Sequence, residues 1–158
     1  MSCRDLGFSV LLAFTSAAAG PDKVEELKLS KEEQEVIDLT NAERKKADLP
    51  PLAPDAKLTA AARGHAANMA KQEKVDHVLD EKGLKDRVAD AGYKARATGE
   101  NVAWNAGGPR QALEVWMASE PHKANILRAE YTDIGVAVAK SEKGEPYWVQ
   151  VFGTPQKE

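Results

Sequence analysis

Two stretches near the C-terminal end, DIGVAVAK (133–140) and YWVQVFG (147–153), are rich in β-branched and aromatic residues, with the turn-forming SEKGEP between them. That is the pattern of two antiparallel strands. Apolar residues occupy both faces of each strand. Ile134, Val136 and Val138 alternate with Ala137 and Ala139, while Tyr147, Val149 and Val151 alternate with Trp148 and Phe152. A sheet that is apolar on both sides must be covered on both, so helices are expected above and below it.

The helices can be read upstream. Ser30 in SKEE is followed three residues later by Glu33, a capping box that opens a helix to about residue 47, where Pro50 and Pro51 stop it. Asn41 and Arg44 lie three apart on one side of this helix, and the helix alone does not say whether that side is exposed. Asp55 caps a second helix to about residue 73, with Leu58, Ala62, His65 and Met69 on its apolar face. A histidine there reads as a hydrogen-bonded core residue, so His65 is left out of the candidate site. A short helix follows over about 84–91, and Gly92 suits its left-handed cap. A last helix starts at Pro109, after Gly107 and Gly108, and is expected to end at Pro121. On it, Ala112, Val115, Trp116 and Ser119 share one face, with the ring of Trp116 expected to pack inward.

At 158 residues the chain has the size of one domain, able to bury about two-thirds of its unfolded surface. Its net charge is -3 with acids and bases intermixed, which offers nucleic acid no basic face. The start, MSCRDLGFSVLLAFTSAAAG, differs from the rest. Arg4 precedes an apolar run over 6–14 and the small residues Ser16, Ala17, Ala18 and Ala19 follow, the layout of a secretory signal cleaved near Ala19. The run falls short of the ~20 apolar residues of a transmembrane segment. Asp5 offsets Arg4, and a buried N-terminal helix is the alternative. The expected division is a signal peptide over 1–19, a charged linker over 20–29 and a folded domain over 30–154. Cys3 is the only cysteine and would leave with the signal, so the mature chain would hold its fold by packing alone. A secreted, extracellular or periplasmic monomer is expected.

Most catalytic signatures are missing: no HExxH, no phosphate-binding glycine loop, no GxSxG elbow and no thiol outside Cys3. What remains is polar residues at the ends of elements. His77 follows the second helix in VDHVLDEKG, Glu100 stands in the stretch ATGENVAW, and Ser119, Glu120 and His122 lie around the end of the last helix. Two neutral imidazoles and a carboxylate are donors for a divalent metal, with water completing the shell. Ordinary surface polarity is the alternative, because the chain has three histidines and 25 acidic residues to scatter.

The ordered succession TNAERKKADLPPL, LTAAARGHAANMAKQ, DH, DRVADAGY, GENVAW, VWMASEPHKANIL, YTDIGVAVA and YWVQVFG resembles the CAP or SCP-like domain family: cysteine-rich secretory proteins, antigen 5 and pathogenesis-related proteins. The resemblance covers about 33–153 and is nearest the cysteine-free bacterial branch. It implies an α+β fold, a three-layer α-β-α sandwich around a mainly antiparallel sheet. It also implies a cleft of two histidines and two acids, which falls here on His77, Glu100 and His122. The fourth position falls on Ser119 where a glutamate would complete the set, and Glu120 is expected to be exposed. Gly99 would allow a turn that delivers Glu100, and Asn101 would tie that turn down. Asn41 and Arg44 match a recurring pair of the first helix with a structural, partly buried role.

The expected function is therefore a secreted binding module without a catalytic residue. Its cleft of His77, Glu100, Ser119 and His122 would take an extracellular protein or lipid ligand. A divalent metal, zinc above others, would sit on His77, Glu100 and His122. The alternative is a metal-dependent, protease-like hydrolase in the same cleft, with Glu100 as general base.

Overall fold

The two C-terminal strands pair as the alternation requires. In the computed structural model, which describes residues 27–157, β3 (Asp133–Lys140) runs antiparallel to β4 (Pro146–Pro155), with Val136 opposite Gln150 and Ala137 opposite Val149. Two further strands join them: β1 (Ala53–Pro54), parallel to β3, and β2 (Ala95–Trp104), antiparallel to β4, giving the order β1-β3-β4-β2. Among the described residues this is a four-stranded, mainly antiparallel sheet.

Each face of the sheet is buried by its own helices. On one side, α1 (Lys31–Lys46), α4 (Pro109–Met117) and α5 (Glu120–Ile126) pack Val36, Ile37, Leu113, Trp116 and Ile126 against Ile134, Val136, Trp148 and Phe152. On the other, α2 (Ala56–Gln72) and α3 (Leu84–Asp90) pack Leu58, Ala62, Met69 and Val88 against Ala137, Tyr147, Val149 and Val151. The residues divide between the two cores by strand parity, and the fold is an α+β, three-layer α-β-α sandwich. A Cβ at Gly135 would lie 2.1 Å from the backbone of Leu58, so the absence of a side chain there lets α2 rest directly on β3.

The local signals hold where their partners are nearby. Ser30 Oγ accepts from the Glu33 amide at 3.1 Å and Glu33 returns a bond to the Ser30 amide at 2.8 Å. Asp55 caps α2, and Gly92 adopts φ +80° after α3. Asn41 holds Leu52 by both its amide and its carbonyl. Arg44 is fully buried and donates to the carbonyls of Pro50, Ile126, Arg128 and Tyr131 at 2.9 to 3.3 Å. It thereby fixes the end of α5 to α1.

Three readings need correction. Pro121 lies in the first turn of α5 instead of ending the previous helix, which stops at Met117. The first turn tolerates proline because its missing amide has no partner within the helix. ATGENVAW is strand, not turn, and β1 is a strand that the proline-rich PLAP did not announce. The signal reading over 1–19, with Cys3, lies outside the described residues. Leu29, at the end of the expected linker, is half-buried against the core.

Candidate functional site

β2 is an edge strand, and its position is fixed from the side that has no neighbouring strand. Three alternate carbonyls receive side-chain donors: Thr98 from Tyr131 Oη at 3.0 Å, Glu100 from Asn125 Nδ2 at 3.2 Å, and Val102 from Trp116 Nε1 at 3.0 Å. Backbone groups of one edge recur every second residue, so these three donors satisfy its outward carbonyls over this stretch. Gly99 serves the same packing. A Cβ there would stand 2.3 Å from Tyr131 Oη. Its lack of a side chain admits the tyrosine, and no turn is involved.

Parity then sends Glu100 and Asn101 to opposite faces. Asn101 faces α5, donating to the His122 carbonyl at 3.0 Å and to Gln150 Oε1 at 3.1 Å while accepting from Asn125 at 2.9 Å. Glu100 faces α2 and α3 with its side chain 2% exposed. A carboxylate so deeply buried needs charged or hydrogen-bonded partners. It has them on both oxygens. Arg87 Nη2 lies 2.6 Å from Oε2, His77 Nδ1 lies 2.9 Å from Oε1, and His65 Nε2 is 3.8 Å from Oε1.

The three imidazoles differ in environment. His77 is 55% exposed at the side chain. A carboxylate can only accept, so Nδ1 carries the proton toward Glu100 and the neutral ring keeps its lone pair on Nε2. The hydrogen bond to Glu100 raises the pKa of His77 above the ordinary value. His65 is buried and donates Nε2 to the Asp76 carbonyl at 2.8 Å; burial lowers its pKa, partly opposed by Glu100. It is the satisfied core histidine expected, and it also stands behind the acid. His122, on α5, is half-buried, with a pKa lowered by burial and then by the charge of His77. Its Nδ1 is buried with no hydrogen-bond partner among the described residues.

Glu100 thus holds His77 beside the edge strand β2, while His122 lies on α5, in the layer on the other face of the sheet, and feels the charge of His77. Ser119 is half-buried just before α5 and makes no side-chain capping bond; Glu120 is exposed.

Sequence reasoning missed Arg87. It rises from α3, is 11% exposed, and also donates from Nη1 to the carbonyls of His77 and Lys82, each at 3.0 Å. The only local hint was a lone arginine in DRVADAGY. A metal fits this arrangement poorly, because both oxygens of the one acid are engaged. Among the described residues no three His, Cys, Asp or Glu side chains form a group able to hold an ion.

The comparisons agree with this geometry at the level of fold. A family model described as CAP, the cysteine-rich secretory protein family, matches residues 37–152. The uncharacterized protein YkwD of Bacillus subtilis is 36% identical over 121 residues, 76% of this chain and 46% of its own. The chain spans less than half the length of the curated relatives it matches. An extracellular protein of Bacillus anthracis containing an SCP domain superposes with a TM-score of 0.72 at 29% identity, over 87% of this chain and 45% of that one. NaASP2, solved with Zn2+, superposes with a TM-score of 0.56 at 16% identity over 85% and 84%, which is a likeness of fold alone. With the three layers, the burial pattern and the family model in agreement, the chain belongs to the CAP family, the cysteine-rich secretory proteins.

Proposed function

We propose that this is a secreted, monomeric binding module of 30–154 that works outside the cell without catalysis, after loss of a signal peptide over 1–19 and with 20–29 as linker. The ligand-facing residues are His77, Glu100, Ser119 and His122. The observation that carries the reading is the His77–Glu100 pair: a buried, immobilised acid orients an exposed imidazole and fixes which nitrogen offers a lone pair. His122 and Ser119 add a second imidazole and a hydroxyl. Such a rim recognises a polar group on an extracellular protein or lipid by hydrogen bonding. The layout of residues 1–20 and the extracellular Bacillus anthracis relative support export. Among the described residues no helix is long and apolar enough to cross a membrane.

The same pair favours one competing reading, a hydrolase in which His77 or Glu100 takes a proton from water. Against it, both oxygens of Glu100 already accept from Arg87 and His77, which leaves the acid poorly placed to take a proton from water. Zinc is the cation that two imidazoles would prefer, but it needs Glu100 to leave Arg87 first. The test combines peptide and ester hydrolysis assays, with and without zinc, and NMR mapping with extracellular peptides and lipid micelles. Turnover at the blank rate and shifts centred on His77 and His122 are expected. Turnover abolished by Glu100→Gln would select the hydrolase.

A further inference from the structure

We propose that Arg87 is the resident cation of the cleft, and that its guanidinium holds Glu100 for His77 and keeps a divalent metal out. The inference rests on the cleft reading above and asks what balances its buried acid.

Each oxygen of Glu100 already accepts from a nitrogen donor, so a metal would have to compete with those donors for the acid. Oε2 is taken by Arg87 at 2.6 Å and Oε1 by His77 at 2.9 Å, with His65 behind it. The guanidinium is itself anchored. Its Nη1 donates to the carbonyls of His77 and Lys82, so one planar group ties the loop that carries His77 to the strand that carries Glu100. Arginine stays charged at any accessible pH, and its fork matches carboxylate geometry. The charge count is then closed: one buried positive group, one buried negative group.

A divalent ion would bring two further positive charges beside Arg87 with no second acid to receive them. Ser119 supplies a neutral hydroxyl, and Glu120 is exposed. At separations of a few Å in a largely buried setting, like charges repel strongly, so an ion ligated by Glu100 must displace the guanidinium, and one held by the imidazoles alone is weakened by its charge. Displacement would strand Arg87, whose buried Nε has no partner among the described residues. The cavity behind the pair is lined by His65, Asp80, Lys82, Arg87 and Asp90, and its two carboxylates have their own partners, Asp80 accepting from Asn68 and Gln72 and Asp90 from Lys82. Arg87 is therefore a positioning residue for His77 and a determinant of cation selectivity.

Calorimetric titration with zinc chloride tests this on the full chain, with Cys3→Ser throughout so that the thiol takes no ion. The native background should show no saturable binding that depends on His77. Arg87→Gln keeps hydrogen bonding but removes the charge, and relief of the like-charge repulsion should raise zinc affinity by about 10-fold or more over the native chain. The gain should vanish in Arg87→Gln with His77→Ala, and Arg87→Lys should behave as the native chain. Native binding that His77→Ala abolishes, or a folded Arg87→Gln that gains nothing, overturns the proposal. If circular dichroism finds Arg87→Gln unfolded, the native chain decides. Zinc-dependent shifts of the His77 and His122 ring signals overturn the proposal, and unmoved signals support it. The cleft reading fails separately, when peptide and lipid shifts map away from His77 whatever zinc does.

Discussion

Arg44, fully buried, and Arg87, largely covered, lie on opposite sides of the same sheet and do different work. Arg44, in the α1 layer, meets only neutral carbonyls, those of Pro50, Ile126, Arg128 and Tyr131. That of Ile126 ends α5, where carbonyls lack helical partners and a cation is favoured. Its charge is spread over dipoles and goes no further. Arg87, in the α3 layer, meets a carboxylate whose other oxygen holds an exposed imidazole. Its charge reaches the surface through Glu100 and His77. The difference teaches that burial of a charged group does not mark function by itself; what counts is whether its partner also faces solvent chemistry.

Arg44→Met would test the structural half most severely. Similar volume is retained but four carbonyls lose a charged donor, so the loss should be about 3 to 5 kcal/mol, read from urea unfolding midpoints. A loss under about 1 kcal/mol, as for ordinary surface changes, would erase the contrast between the two arginines.

Glu100→Gln probes the other half with a smaller effect. The shape is kept and the charge is lost, so stability should fall by about 1 to 3 kcal/mol, the range for a hydrogen bond to a charged group. The pKa of His77 should drop back toward the ordinary imidazole value, followed by NMR titration of the ring. An unchanged midpoint would mean that His77 draws nothing from the acid.

The smallest effect is in pH dependence. His77, with a raised folded pKa, contributes stability that is fully present below the ordinary imidazole value of about 6.5 and lost as pH rises through its folded value. His65 and His122, with lowered values, contribute above about 6.5 and lose that contribution as pH falls toward their folded values. The two trends oppose each other in the native chain. His77→Gln removes the one that favours acid, so its Tm should fall further than the native Tm between pH 7.5 and 5.5. Parallel curves would uncouple His77 from the acid.

The sequence by itself determined the layers. Strand side chains alternate strictly, so the parity of Ile134, Val136 and Val138 against Ala137 and Ala139 assigns two cores with no knowledge of the helices. Caps and ends were legible for the same reason, since Ser30 with Glu33 and Asp55 with its own helix interact within four residues. His77, Glu100 and His122 could be named because their types suit a cleft and their order matched a family. Only the tertiary structure decided what Glu100 does. Glycine, glutamate and asparagine in succession read as a turn, and it is Tyr131, 32 positions beyond Gly99, that makes glycine necessary in a straight strand. Arg87 was passed over, because nothing local reveals a partner 13 residues away across a sheet edge. Periodicity records which side of an element is buried; the identity of the group waiting there is set by parts of the chain that meet only when it folds.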